Sequence, residues 1–118
     1  MKYIIMFCGT AEDQETVKQW SEAERREAYA RVGRWFDENN AKIVGGEELE
    51  PPNTATTIRF DANRNYVLTD GPFIETKEVI GGFAIVDVAD QDEALRLAKT
   101  WPGGPGGSIV EVRPVVAH

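Results

Sequence analysis

The unbroken apolar run Tyr3-Ile4-Ile5-Met6-Phe7-Cys8 does most to limit how this chain can fold. A strand points successive side chains to opposite faces, so a stretch with no polar interruption predicts a strand covered on both faces or set at the centre of a sheet. Gly9 and Thr10 end it. Everything downstream has to supply neighbours for that strand.

The acidic stretch with Glu12, Asp13 and Glu15 has weak periodicity and reads as a loop or a short exposed helical turn. Ser21 with Glu24 fits a capping box, in which each side chain bonds a free backbone N–H at a helix start. Ala28, Tyr29, Val32, Trp35 and Phe36 then recur at helical spacing, which predicts a helix ending near Asn39-Asn40. Lys42 to Gly45 has strand character, and Pro51-Pro52 stops what precedes it. Thr56 to Phe60, turn residues 61–65 and Tyr66-Val67-Leu68 predict a hairpin. Val79 to Val88 predicts a strand with a bulge at Gly81-Gly82. Asp90 and Glu93 open a second helix with a stripe of Ala94, Leu95, Leu97, Ala98 and Trp101, stopped by Pro102 and Gly103. After the glycine-rich run 103–107, Ser108 to Val116 predicts a last strand.

Two strand–helix–strand units flanking a hairpin point to an α+β, ferredoxin-like plan: an antiparallel sheet with two helices on one face. Alternation puts Val110 and Val112 on one side of the last strand, and Ile109, Glu111 and Arg113 on the other. In the hairpin it separates Ile58 and Phe60 from Thr57, Arg59 and Asp61. The resulting open face mixes apolar and charged groups, which suits an oligomer interface that keeps a polar cleft.

At 118 residues, with 42% hydrophobic and 28% charged residues, a single globular domain spanning 1–118 is expected. No apolar run approaches the ~18 residues of a membrane span, and the N-terminal run is too short for a secretory core, so a cytoplasmic protein is expected. A net charge of −7 opposes nucleic acid or an anionic membrane as partner. The lone Cys8 makes no internal disulfide. The sequence holds no dinucleotide fingerprint, metal-ligand spacing or nucleophile triad, so no cofactor is expected.

The run Leu68-Thr69-Asp70-Gly71-Pro72-Phe73-Ile74-Glu75-Thr76-Lys77-Glu78, followed by Gly81-Gly82-Phe83, closely resembles the DGPF-domain branch of the YCII-related family. Pro51-Pro52 with Thr54-Ala55-Thr56-Thr57, and Gly106-Gly107-Ser108 with Glu111-Val112-Arg113-Pro114, extend the resemblance over essentially the whole chain. It implies a ferredoxin-like fold that dimerises by stacking sheets into an α/β barrel, with a cleft lined by the sheet face and the DGP loop. It also implies an acid/base pair of a first-helix histidine and the aspartate matching Asp70. Here Tyr29 stands at the histidine position, and the only histidine is His118. A genomic link to extracytoplasmic-function sigma factors, and so a regulatory partner-binding role, is implied as the alternative to chemistry on a small metabolite.

Asp70 is the first catalytic candidate: a partly desolvated carboxylate near a cleft acquires a raised pKa and exchanges protons. Asp-Gly-Pro-Phe is equally good turn chemistry, with the glycine at positive φ. Tyr29 is the second, donating a phenolic hydrogen bond to a ligand or to Asp70, or serving as a helix-to-sheet core aromatic. Arg59 and Arg113, read as lying on one sheet face, can clamp a carboxylate or phosphate, or pair with Glu111 or Asp61. Gly71 and Pro72 complete the ligand-binding set. The expected reaction is cofactor-independent proton transfer on a small anionic or carbonyl compound at the interface of a homodimer.

Overall fold

The computed structural model describes residues 1–71, 78–104 and 107–118. In chain order it contains β1 (Lys2–Thr10), α1 (Ala11–Lys18), α2 (Glu22–Glu38), β2 (Ile43–Glu48), a 3-10 turn (Pro52–Thr54), β3 (Thr56–Phe60), β4 (Tyr66–Asp70), β5 (Glu78–Asp87), α3 (Gln91–Lys99) and β6 (Ile109–Pro114). Four strands form one sheet in the order β2-β5-β1-β6, and β3 pairs with β4 in a second. All pairings are antiparallel. The class is mixed α+β, and β1, with its continuous apolar run, has a strand on either side.

One face of β1 builds the core. Tyr3, Ile5 and Phe7 pair with Val86, Ala84 and Gly82 of β5 and with Pro114, Val112 and Val110 of β6. Trp35 from α2 and Ala94, Leu97 and Ala98 from α3 join the same buried cluster, so both helices cover this face. Phe7 stacks on Trp101 at 3.8 Å between ring centroids, and Trp35 meets both rings edge-on. Trp101 lies just beyond α3, whose C-cap is Thr100. The Trp35 indole N–H donates to Thr100 Oγ1 at 2.8 Å, which satisfies a buried donor.

Among the described residues, no helix packs on the other face of the sheet. That face carries Ile4, Met6 and Cys8 of β1, Ile80, Phe83 and Ile85 of β5, and Ile109, Glu111 and Arg113 of β6. Met6 and Cys8 are shielded at its centre while Ile80 is 47% exposed. The register slips between Phe7 and Cys8, which face Gly82 and Ile80, so Gly81 is the bulged residue as expected.

Two expectations are corrected. Residues 11–18, read as a loop or short turn, form the helix α1, which buries no residue. Its start is fixed locally: Thr10 Oγ1 accepts from Asp13 N–H, and Asp13 Oδ2 accepts from Thr10 N–H. An exposed helix held by its caps carries no apolar stripe for periodicity to detect. Secondly, Arg59 and Arg113 do not share a sheet face, because the hairpin strands pair only with each other and Arg59 belongs to β3. Among the described residues no helix is long and apolar enough to cross a membrane.

Candidate functional site

A cleft of about 520 Å³ opens between α1, the first half of α2 and the chain leaving β2. Its base is Gly9, Val79, Ile80, Gly81 and Gly107, and its walls carry Asp13, Arg25, Tyr29, Glu48 and Glu50. A smaller pit of about 60 Å³, lined by Phe7, Val32, Phe36 and Trp101, shares Tyr29, Glu48 and Gly81 with the cleft. Tyr29 and Glu48 thus line both a chamber of mixed polarity and a smaller apolar one.

Each wall group is placed by backbone chemistry. Tyr29 Oη donates to Glu48 Oε1 at 2.9 Å, joining α2 to the end of β2. Burial pushes the phenol's pKa up, and the Glu48 carboxylate adds to this by bonding the protonated form and opposing a second negative charge. The proton therefore stays on Tyr29. Arg25 donates to the carbonyls of Val17 and Lys18, the last turn of α1, where a guanidinium complements the helix's partial negative charge.

Asp13 closes the opposite side. The backbone N–H of Thr10 is the main cause that holds its pKa below the usual carboxylate range, helped by the Ser108 hydroxyl at 3.0 Å. Gly107 adjoins this node at φ 98°. A Cβ there would run into Cys8 O and Gly9 Cα, so only glycine lets β6 start this close to β1. Cys8 itself is buried, and its thiol pKa is raised by burial and then by Glu111 and Glu78, which suits an apolar filler rather than a nucleophile.

Of the described candidate catalytic and ligand-binding residues, only Tyr29 lines the cleft. Its phenol is bonded to Glu48, not to Asp70. Asp70 is the exposed last residue of β4. Gly71 has φ 97°, as turn chemistry requires, and its N–H donates to Ala55 O at 2.6 Å while its carbonyl accepts from Thr57 Oγ1. That bond ties the foot of the hairpin to the segment following Pro51 and Pro52 of the cleft rim. Pro72 lies outside the described residues. Arg113 is paired with Glu111 at 3.8 Å, within β6 and not across strands. Asp13 had a readable signal in its spacing from Thr10, whereas nothing local marks Glu48, whose partner is on another element.

Helices on one side of an antiparallel sheet, an open opposite face and a cleft beside the helices define a small α+β protein with a cleft of mixed polar and apolar lining. The chain belongs to the YCII-related family, whose domain model matches residues 3–117. It is also 33% identical over 108 residues to an uncharacterized protein of Rhizobium meliloti (strain 1021), a match covering 91% of this chain and 78% of that protein.

Proposed function

We propose that this is a cytoplasmic, ferredoxin-like protein that pairs as a homodimer and binds a small anionic or carbonyl metabolite in the cleft beside Tyr29, with cofactor-free proton transfer as its chemistry. The strand order β2-β5-β1-β6 with two helices on one face supports the ferredoxin-like plan. The open apolar face supports pairing through the sheet.

The observation that carries the chemical reading is the Tyr29–Glu48 hydrogen bond at the cleft wall. A phenol that keeps its proton is an acid, and the adjoining carboxylate is a base. On a carbonyl compound, Glu48 takes a proton from the carbon beside the carbonyl, and the phenol hydrogen-bonds the oxygen on which negative charge develops. Lys18 and Arg25 are the cationic groups at the cleft for seating an anionic end. Asp70, tied to the rim through Gly71 and Ala55, is proposed as a further carboxylate acting at the cleft mouth.

A thermal-shift screen of small keto acids, carboxylates and phosphates against wild type, Tyr29→Phe and Asp70→Asn tests binding. A ligand at 100 times its dissociation constant adds about 2.7 kcal/mol. Hits are then incubated in D2O, and proton NMR reads exchange at the carbon beside the carbonyl. The reading requires a compound that stabilises wild type, binds Tyr29→Phe at least about tenfold more weakly, and exchanges with the wild type. If no compound in these classes binds, or if Tyr29→Phe binds and exchanges like wild type, the reading fails.

A further inference from the structure

The β3–β4 hairpin stands away from the rest of the chain. Every residue in 58–70 is exposed. Its register sets Ile58 opposite Leu68, Phe60 opposite Tyr66 and Thr56 opposite Asp70, so these six share one face. On that face Ile58, Phe60, Tyr66 and Leu68 are 51%, 55%, 63% and 59% exposed. The Phe60 and Tyr66 rings meet edge-on, and the Arg64 guanidinium sits 4.8 Å over Phe60.

No described part of the chain buries this row. The radius of gyration is 16.2 Å, against about 13.5 Å for a compact chain of this length. The molecule is a slab of 46 × 44 × 18 Å with the hairpin as a projection. A two-stranded hairpin is marginally stable alone in water, so four large apolar side chains lined up along one require a surface to lie on.

We propose that the hairpin is an intersubunit arm whose Ile58, Phe60, Tyr66 and Leu68 face packs on a second copy of this chain, against the open face of that copy's four-stranded sheet. The receiving face offers Ile4, Phe83, Ile85 and Ile109, on which no described helix packs. Charge does not oppose the pairing. The hairpin, Thr56–Asp70, balances Arg59 and Arg64 against Asp61 and Asp70 in a chain of net charge −7. A neutral arm lies on a sheet face that carries Glu47, Glu78, Glu111 and Arg113 without the repulsion that two net-acidic surfaces would suffer.

Area points the same way. The side chains of the row are already nearly half covered, which leaves roughly 100 Å² each to bury, and a two-fold axis makes every contact twice, so two arms with the sheet margins they cover approach the ~800 Å² per partner of a standard interface. Asp70 stands on the arm's docking face at its foot. The arm rests on the homodimer reading above and adds which element makes the contact.

Sedimentation velocity on wild type and on the double variant Ile58→Asp/Leu68→Asp tests it, with near-UV circular dichroism reporting the Trp35–Trp101 core. Wild type sediments as a dimer, and the variant keeps its core spectrum while dimer dissociation rises on the order of 100-fold. A monomeric wild type overturns both the homodimer and the arm. A variant that dimerises like wild type overturns the arm and leaves the homodimer standing. A second measurement does not depend on disrupting the arm: Ala62→Cys in a Cys8→Ser background carries a nitroxide and is mixed with isotope-labelled wild type. Amide signals of β1, β5 and β6 in the labelled subunit broaden; broadening confined to other elements, or none, refutes the docking.

Discussion

Tyr29 and Glu48, nineteen residues apart in sequence, share one hydrogen bond of 2.9 Å that spans α2 and the end of β2. Both residues line the larger mixed cleft and the smaller apolar pit. The bond also keeps the proton on the phenol, because losing it would set two negative oxygens against each other in a partly desolvated site.

That relationship is measurable by ultraviolet titration. The phenolate signal of wild type minus that of Tyr29→Phe titrates above the ordinary value of 10.0. In Glu48→Gln the midpoint moves back toward 10.0. The sign for stability follows from a folded-state pKa that lies above the unfolded one. The contribution is whole below the unfolded value and is lost as pH rises through the folded value. Tyr29→Phe therefore costs under ~1 kcal/mol at neutral pH, because the half-exposed phenol shares its bond with water; urea denaturation reads the loss, and the gap to wild type narrows at strongly alkaline pH.

Asp13 sets the opposite limb. Its pKa is held below 3.8 in the folded state, chiefly by the Thr10 N–H. Its stabilising effect is thus present above the unfolded value and is lost as pH falls through the folded one. Thermal melts of Asp13→Asn from pH 6 down to pH 2 (about the span of the carboxylate titration) lose less of their midpoint on acidification than wild type does.

Gly107→Ala destabilises by at least ~2 kcal/mol, since the added Cβ meets Cys8 O and the residue sits at positive φ. In urea the transition midpoint falls while the slope is unchanged. Gly71→Ala makes the contrast, because its Cβ meets nothing within 4 Å and only the positive φ opposes it. It costs ~1 kcal/mol.

Thr100→Val removes the acceptor for the Trp35 indole N–H, which is then buried without a partner. The expected loss is ~1–3 kcal/mol. Trp35 is 3% exposed, so no water replaces the hydroxyl without repacking. Thr100→Ser retains the bond and stays within ~1 kcal/mol of wild type in the same denaturation assay.

Asp70→Asn changes stability by under ~0.5 kcal/mol, because the side chain is exposed at the end of β4. Its effect appears in ligand-induced thermal shifts instead. A large loss of intrinsic stability would instead assign Asp70 to holding the turn.

Local chemistry was legible in the residues themselves. The apolar run of β1, the capping box at Ser21 and Glu24, the Asp90 cap, the β3–β4 hairpin and the Gly81 bulge each depend on neighbours close in sequence, and each stands in the structure where the pattern put it. The DGPF motif likewise pointed to the YCII-related family that the chain belongs to. The structure alone decided that the hairpin leaves the main sheet, that Arg59 and Arg113 part company, and that Tyr29 bonds Glu48 across two elements. Those outcomes follow from which strand edges pair and how far α2 lies from the end of β2. Such distances are set by the packing of Phe7, Trp35 and Trp101 in the core and by no short stretch of sequence.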